Sequence, residues 1–174
     1  MDLPRLALSV RQPWAWAILH GGKVIENRSA GAIRAGGMTL GPVALHAAAG
    51  MTEAEYAWGV DRLRRHGTIA PRPEDLPRRC LIGQVEVVDI VSESDSEWFG
   101  GPMGLVLERP QACAPIPAPG ALGYFEWRAS GALAPPAPWM ARWNRPSGDA
   151  RTGELFEDLA PSFRARPERP RRKR

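Results

Sequence analysis

Between Leu6 and Gln12 the chain reads LALSVRQ, in which Leu6, Leu8 and Val10 alternate with Ala7, Ser9 and Arg11. Successive side chains leave a strand on opposite sides, so this period of two predicts a strand with one face in the core and a polar second face. The apolar run Trp14 to Leu19 follows Pro13, whose fixed φ suits a first helical turn, and Gly21 and Gly22 stand where a helix would stop. A helix of about two turns is predicted there. KVIENRS (23–29) reads as a second strand, Gly31 to Gly41 as a Gly-rich loop, and PVALHAAA (42–49) as a third strand.

Thr52 and Glu55 have the spacing of a capping box, and behind them Tyr56, Val60 and Leu63 share one helical face. That helix runs into Arg62, Arg64, Arg65, His66 and Gly67. Cations are stabilised at a helix C-terminus, which is a structural reason for the basic run. After a Pro-rich connection (70–79) comes the long apolar strand CLIGQVEVVDIV (80–91), with Gly83 marking a bulge or a close approach. An acidic loop (92–97), WFGGPMG, a strand LVLERPQAC (105–113), a Pro-rich link and a last strand LGYFEWR (122–128) complete the pattern. About six strands and two main helices, with an ordinary loop between strands two and three, predict an α+β fold built on a small mixed β-barrel. Residues 1–129 form the expected domain. Residues 130–162 read as a Pro/Ala-rich extension whose Trp139, Met140, Trp143, Leu155 and Phe156 are candidates to dock on the barrel, and 163–174 as a disordered basic tail.

The chain has 174 residues, 44% of them hydrophobic and seven of them Trp, which suffices for one core. Its longest apolar segment falls far short of the roughly 20 residues that span a bilayer, and no charged-then-apolar leader opens it, so the expectation is a cytoplasmic protein without membrane contact. Cys80 and Cys113 form no CxxC and have no His pair nearby, so neither a disulfide, a zinc site nor another cofactor is expected. The net charge is +4, but FRARPERPRRKR (163–174) holds seven Lys or Arg against one Glu, leaving −2 on the rest of the chain. Nucleic acid would therefore have to meet a local patch or the tail.

Periodicity suggests where such a patch lies. Ser9 and Arg11 point away from Leu8 and Val10, Glu26 and Arg28 share a face opposite Ile25, and His46 lies opposite Val43 and Leu45. If these strands are neighbours, Arg11, Glu26, Arg28 and His46 line one cleft, with Lys23 at its rim after the turn at Gly22. Arg offers bidentate donors to phosphate or a base edge, Lys a point charge, Glu an acceptor or proton shuttle, and His a group that titrates near neutrality. The competing structural reading is a Glu26–Arg28 pair across the strand face and a satisfied core histidine.

The stretch LSVRQPWAWAILHGGKVIENR resembles the opening of the ASCH domain family, a branch of the PUA-like superfamily, with its G-x-K-x-x-E-x-R motif at Gly21, Lys23, Glu26 and Arg28. GPVALHAA, IGQVEVVDIV, WFGGPMGLVL and PGALGYF follow in the expected order, so the resemblance covers about residues 5–127. It implies a PUA-like barrel with two main helices flanking a cleft that carries the motif and binds RNA or related nucleic acid. Other members are a ribonuclease and an N(4)-acetylcytidine amidohydrolase. The amidohydrolase type has a Thr three residues after the motif Lys, where this chain has Glu26.

Three functions follow. In the first, RNA or a nucleotide binds through Ser9, Arg11, Gly22, Lys23, Glu26, Arg28 and His46, with Trp14 as a stacking face. In the second, a hydrolase of modified nucleosides or RNA uses Lys23 as nucleophile or its activator and Glu26 as acid/base. In the third, the barrel scaffolds a protein partner and the tail meets nucleic acid. The pattern leaves the oligomeric state open.

Overall fold

The computed structural model describes residues 2–143. Six strands form one sheet: β1 (Leu6–Val10), β2 (Ile25–Arg28), β3 (Gly41–Ala47), β4 (Cys80–Val91), β5 (Met103–Pro117) and β6 (Tyr124–Glu126), in the order β2-β5-β4-β3-β1-β6. All neighbours are antiparallel except β1 and β3, which run parallel and pair Ser9 with His46. The register between β4 and β5 shifts at Leu81/Gly83, Gln84/Glu86 and Val87/Asp89. Each shift bends the strands and increases their twist, and the sheet curls into a half-barrel. At Gly83 a Cβ would collide with the carbonyl oxygen of Gln111 and come within 3.0 Å of Leu19, so the close approach anticipated there is real.

The concave core holds Leu8, Val10, Val43, Leu45, Val85, Val87, Leu105 and Leu107, closed by Ala15 and Ile18 of helix α1 (Trp14–His20). The other face of β1 is apolar too. Ala7 is buried with Ala44 and Leu81 beneath Phe125 and Trp127, whereas Leu6 is partly exposed. The expected polar second face thus holds only from Ser9 onward, because β6 and the residues after it cover the start of the strand.

Three further expectations need correction. The Gly-rich segment contains helix α2 (Ala30–Ala35), which Ser29 caps by accepting from the Ala32 N–H at 3.0 Å. High glycine content masked a good N-cap. The Pro-rich link belongs to β5, which runs on to Pro117; past Val106 no β2 residue pairs with it, so its prolines occupy an edge, where a missing N–H costs no ladder bond. β6, in turn, is shorter than the seven residues that alternate in the sequence.

Helix α3 (Glu53–Arg65) carries the capping box between Thr52 and Glu55, and buries Tyr56 and Leu63 as predicted. Asp61 pairs with Arg64 at 3.2 Å and Arg65 at 2.6 Å, and His66 stacks on Trp98, so much of the basic run is internally satisfied. A short helix α4 (Pro138–Ala141) seats Met140, fully buried, against Met51, Tyr56 and Leu76, and the Trp143 ring meets Tyr56 edge-on at 4.9 Å. Trp139, Met140 and Trp143 therefore dock, but on α3 and its flanking loops rather than on the barrel. Leu155, Phe156 and the basic tail lie outside the described residues. No described helix is long and apolar enough to cross a membrane.

Removing most of the Met140 side chain leaves a cavity between α3 and α4. Met140→Ala should cost about 2–5 kcal/mol in urea unfolding. A change within 0.5 kcal/mol, typical of surface positions, would show that α4 does not pack in solution.

Candidate ligand site around Lys23, Glu26 and Arg28

Gly21 ends α1, its N–H bonding Ala17 O at 2.8 Å, and a Cβ there would press on Leu63 of α3 at 2.7 Å. Gly22 needs its φ of +70°. One glycine is required by packing and the other by conformation, and together they turn the chain so that Lys23 enters the interior. Lys23 is 5% exposed. Its Nζ donates to the carbonyl oxygen of Ile25 and to Glu26 Oε2, the latter at 2.8 Å. Glu26 Oε1 pairs with Arg28 Nη2 at 3.1 Å, and the same nitrogen donates to the Ser9 carbonyl oxygen at 2.6 Å. Asn27, on the opposite face of β2, fastens the strand through Trp98 O at 2.9 Å and Gly100 N at 2.8 Å.

The Arg28–Ser9 bond joins β2 to β1 although β5, β4 and β3 lie between them in the sheet, so it spans the open side of the curl. From Ser9 the network continues: its Oγ bonds His46 Nδ1 at 2.8 Å, and His46 Nε2 bonds Ala118 O at 3.0 Å. A carbonyl only accepts, so Nε2 carries the proton and Nδ1 accepts from the Ser9 hydroxyl. Lys23, Glu26, Arg28, Ser9 and His46 are thus one connected chain of polar contacts.

Burial by itself would raise the Glu26 carboxyl, but the charges of Lys23 and Arg28 and their hydrogen bonds outweigh it and hold the group below its ordinary range. Burial lowers the His46 imidazole, with the Ala118 carbonyl opposing. The Tyr124 phenol is pushed up to about 12 by burial, against the pull of Arg28. The triad of Lys23, Glu26 and Arg28 carries a formal net +1. Arg28 Nε is the buried side-chain polar atom without a hydrogen-bond partner among the described residues.

The structure places the remaining candidates differently. Arg11 pairs with Glu55 at 2.5 Å and donates from Nε to Gly50 O at 3.2 Å, so it is engaged at the head of α3. β1 ends at Val10, and the rule of alternation does not carry past it. Trp14 is half-buried between two core clusters, its ring edge-on to Trp58 at 4.8 Å, which leaves it committed to packing. Lys23 sits inside the cluster, not at its rim. Sequence reasoning missed Ala118 O, because no side-chain pattern reports a backbone carbonyl. It also missed Gly120, where a Cβ would collide with the His46 ring and lie 2.7 Å from Ser9 Oγ. The isolated Gly within PAPGALGY was the available signal.

Among known families, the model of the ASCH domain matches residues 8–127, which spans the whole site. No curated protein matches the chain.

Both depressed groups make the fold acid-sensitive. His46 is held neutral, so its contribution is complete above the ordinary histidine value of about 6.5 and is lost as pH falls through its lowered folded value. Glu26 contributes fully above about 4.3 and loses that contribution at still lower pH. Thermal melts should therefore fall in two acid steps, with Glu26→Gln flattening only the lower one. Lys23→Met should cost about 3–5 kcal/mol at pH 7, the penalty of leaving a buried charge partly uncompensated.

Proposed function

The chain belongs to the ASCH domain family, a PUA-like family linked to RNA binding, and from that premise we propose that it binds single-stranded RNA or a nucleotide at the Lys23–Glu26–Arg28 cluster. The observation that carries this reading is the excess positive charge of the Lys23–Glu26–Arg28 triad, in which Lys23 and Glu26 are buried and the Arg28 side chain stays 20% exposed.

The three side chains have different parts to play. Arg28 is the most accessible, 20% exposed against 5% for Lys23, so it makes the direct contact with a phosphate oxygen or the acceptor edge of a base. Lys23 stands behind Glu26 and adds charge without reaching solvent. Glu26 fixes both cations and keeps the guanidinium oriented. Single-stranded RNA suits such a site because its bases and phosphates turn out of the stack and enter small polar recesses. A hydrolytic role for Lys23 has less support, since two of its three donors are spent on Glu26 and the Ile25 carbonyl.

Anisotropy titrations of a short labelled RNA test the reading. Affinity should fall with rising salt, at about −0.7 in log K per log salt for each phosphate neutralised. Arg28→Lys, which keeps the charge and loses the planar fork, should weaken binding about tenfold, or ~1.4 kcal/mol. A chain lacking residues 163–174 should retain binding. If binding disappears with that segment while Arg28→Lys leaves it unchanged, the cluster is not the RNA site.

A further inference from the structure

The core and the ligand site leave the outward face of α3 unused. The helix buries Tyr56, Gly59 and Leu63, and the residues half a turn away from them meet solvent. At the middle of that face stands Trp58, 42% exposed, with Ala54 exposed one turn before it and Arg65 two turns after it. Trp14 meets the Trp58 ring edge-on at 4.8 Å and braces it from one side. A large indole kept in water and held in one orientation is a ready anchor for a protein interface.

The charges of α3 say which partner fits. Its acids Glu53 and Glu55 lie before Trp58, and its bases Arg62, Arg64 and Arg65 lie after it, with Asp61 the one acid among them. The pair Glu55 and Arg62 and the pair Glu53 and Arg64 share one midpoint, between Trp58 and Gly59. An identical helix laid antiparallel over that midpoint therefore sets Arg62 of the second copy opposite Glu55 and Arg64 of the second copy opposite Glu53. Angular position agrees, since at about 100° per residue Glu55 and Arg62 lie on one flank of Trp58 and Glu53 and Arg64 on the other. A two-fold axis in the plane of contact sets each flank against its own copy. We propose that α3 is the isologous contact of a homodimer, with the two Trp58 rings at the two-fold axis.

The charged groups are available for this. Glu53 has no ion-pair partner among the described residues, and Arg62 lies 5.9 Å over the Trp98 ring without a carboxylate. Glu55 stays partly exposed while it pairs with Arg11, and Arg64 stays largely exposed while it pairs with Asp61. A strand of RNA would meet the two glutamates as well as the arginines, so half of the face would repel it. Charges at the rim set register and exclude other partners, while the central Trp58 pair supplies the affinity. A 13-residue helix face is small for an interface, so the dimer belongs to the transient class and forms at micromolar concentration. The Lys23–Glu26–Arg28 cluster has no part in it, and it stands or falls separately from RNA binding.

Sedimentation velocity on the full chain, without RNA, tests the proposal. The mean mass should climb from 19.0 kDa towards twice that value as concentration rises through the micromolar range. Trp58→Ala should weaken association about 30-fold, as loss of an interface anchor does, with the far-ultraviolet circular dichroism unchanged. Arg64→Glu should weaken it by setting like charges opposite one another, and the double variant Glu53→Arg/Arg64→Glu should restore it, which a merely destabilised helix would not do. Should Trp58→Ala not fold, this charge swap decides. A mass of 19.0 kDa at every soluble concentration overturns the proposal. So does a dimer indifferent to a folded Trp58→Ala, or a double variant that associates no better than Arg64→Glu alone. Association that appears only once residues 144–174 are removed assigns the face to that segment of the chain, and protection of Trp58 from N-bromosuccinimide by RNA in a monomeric chain assigns it to nucleic acid. Either result overturns the second copy as occupant.

Discussion

The half-barrel depends on one part-buried charged contact, in which Arg28 reaches from β2 across the open side of the curl to the Ser9 carbonyl on β1. Hydrogen-bonded ladders hold five strand pairs, but none joins β2 to β1. Burying a guanidinium there is expensive unless its charge is balanced, and Glu26 balances it; Glu26 in turn is held by Lys23, whose entry to the interior depends on the turn at Gly21 and Gly22. Such a chain adds little net stability compared with a well-packed apolar seam. What it adds is direction, because its directed contacts fix how β1, β2 and α1 sit relative to one another.

Much of this was legible in the sequence, and for a definite reason. Alternation placed Glu26 with Arg28 on one face of β2 and His46 opposite Leu45, because period two is a property of single strands and needs no tertiary information. The capping box of α3 was equally local. The failures lie where a distant partner decides. Arg11 follows the end of β1 and turns to Glu55; Ala7 is buried because Phe125 and Trp127 arrive from the far end of the domain; β5 continues through its prolines because its edge has no second neighbour. The contact between Arg28 and Ser9 could not be read at all, since it pairs a side chain with a backbone oxygen in strands not adjacent in the sheet.

Structure and candidate chemistry draw on the same atoms here. Ser9 gives its carbonyl to Arg28 and its hydroxyl to His46, and His46 is anchored by a carbonyl just past β5. A residue that both closes a fold and lines a site cannot be tuned for one purpose without disturbing the other. The buried unpaired Nε of Arg28 is where the two demands part, for the closure does not use it.

The parallel pairing of β1 with β3, and the placement of β6 beyond β1, bear on how the molecule assembles. β1 is made first, yet its neighbours come from residues 41–47 and 124–126, and the His46 anchor lies 72 positions downstream at Ala118. Local contacts can form α1 and α3 early, but the polar network must await chain closures of long sequence separation, which fold slowly. The contacts among Lys23, Glu26, Arg28 and the Ser9 carbonyl lie within residues 9–28, whereas the His46 end of the site is complete only once Ala118 is in place.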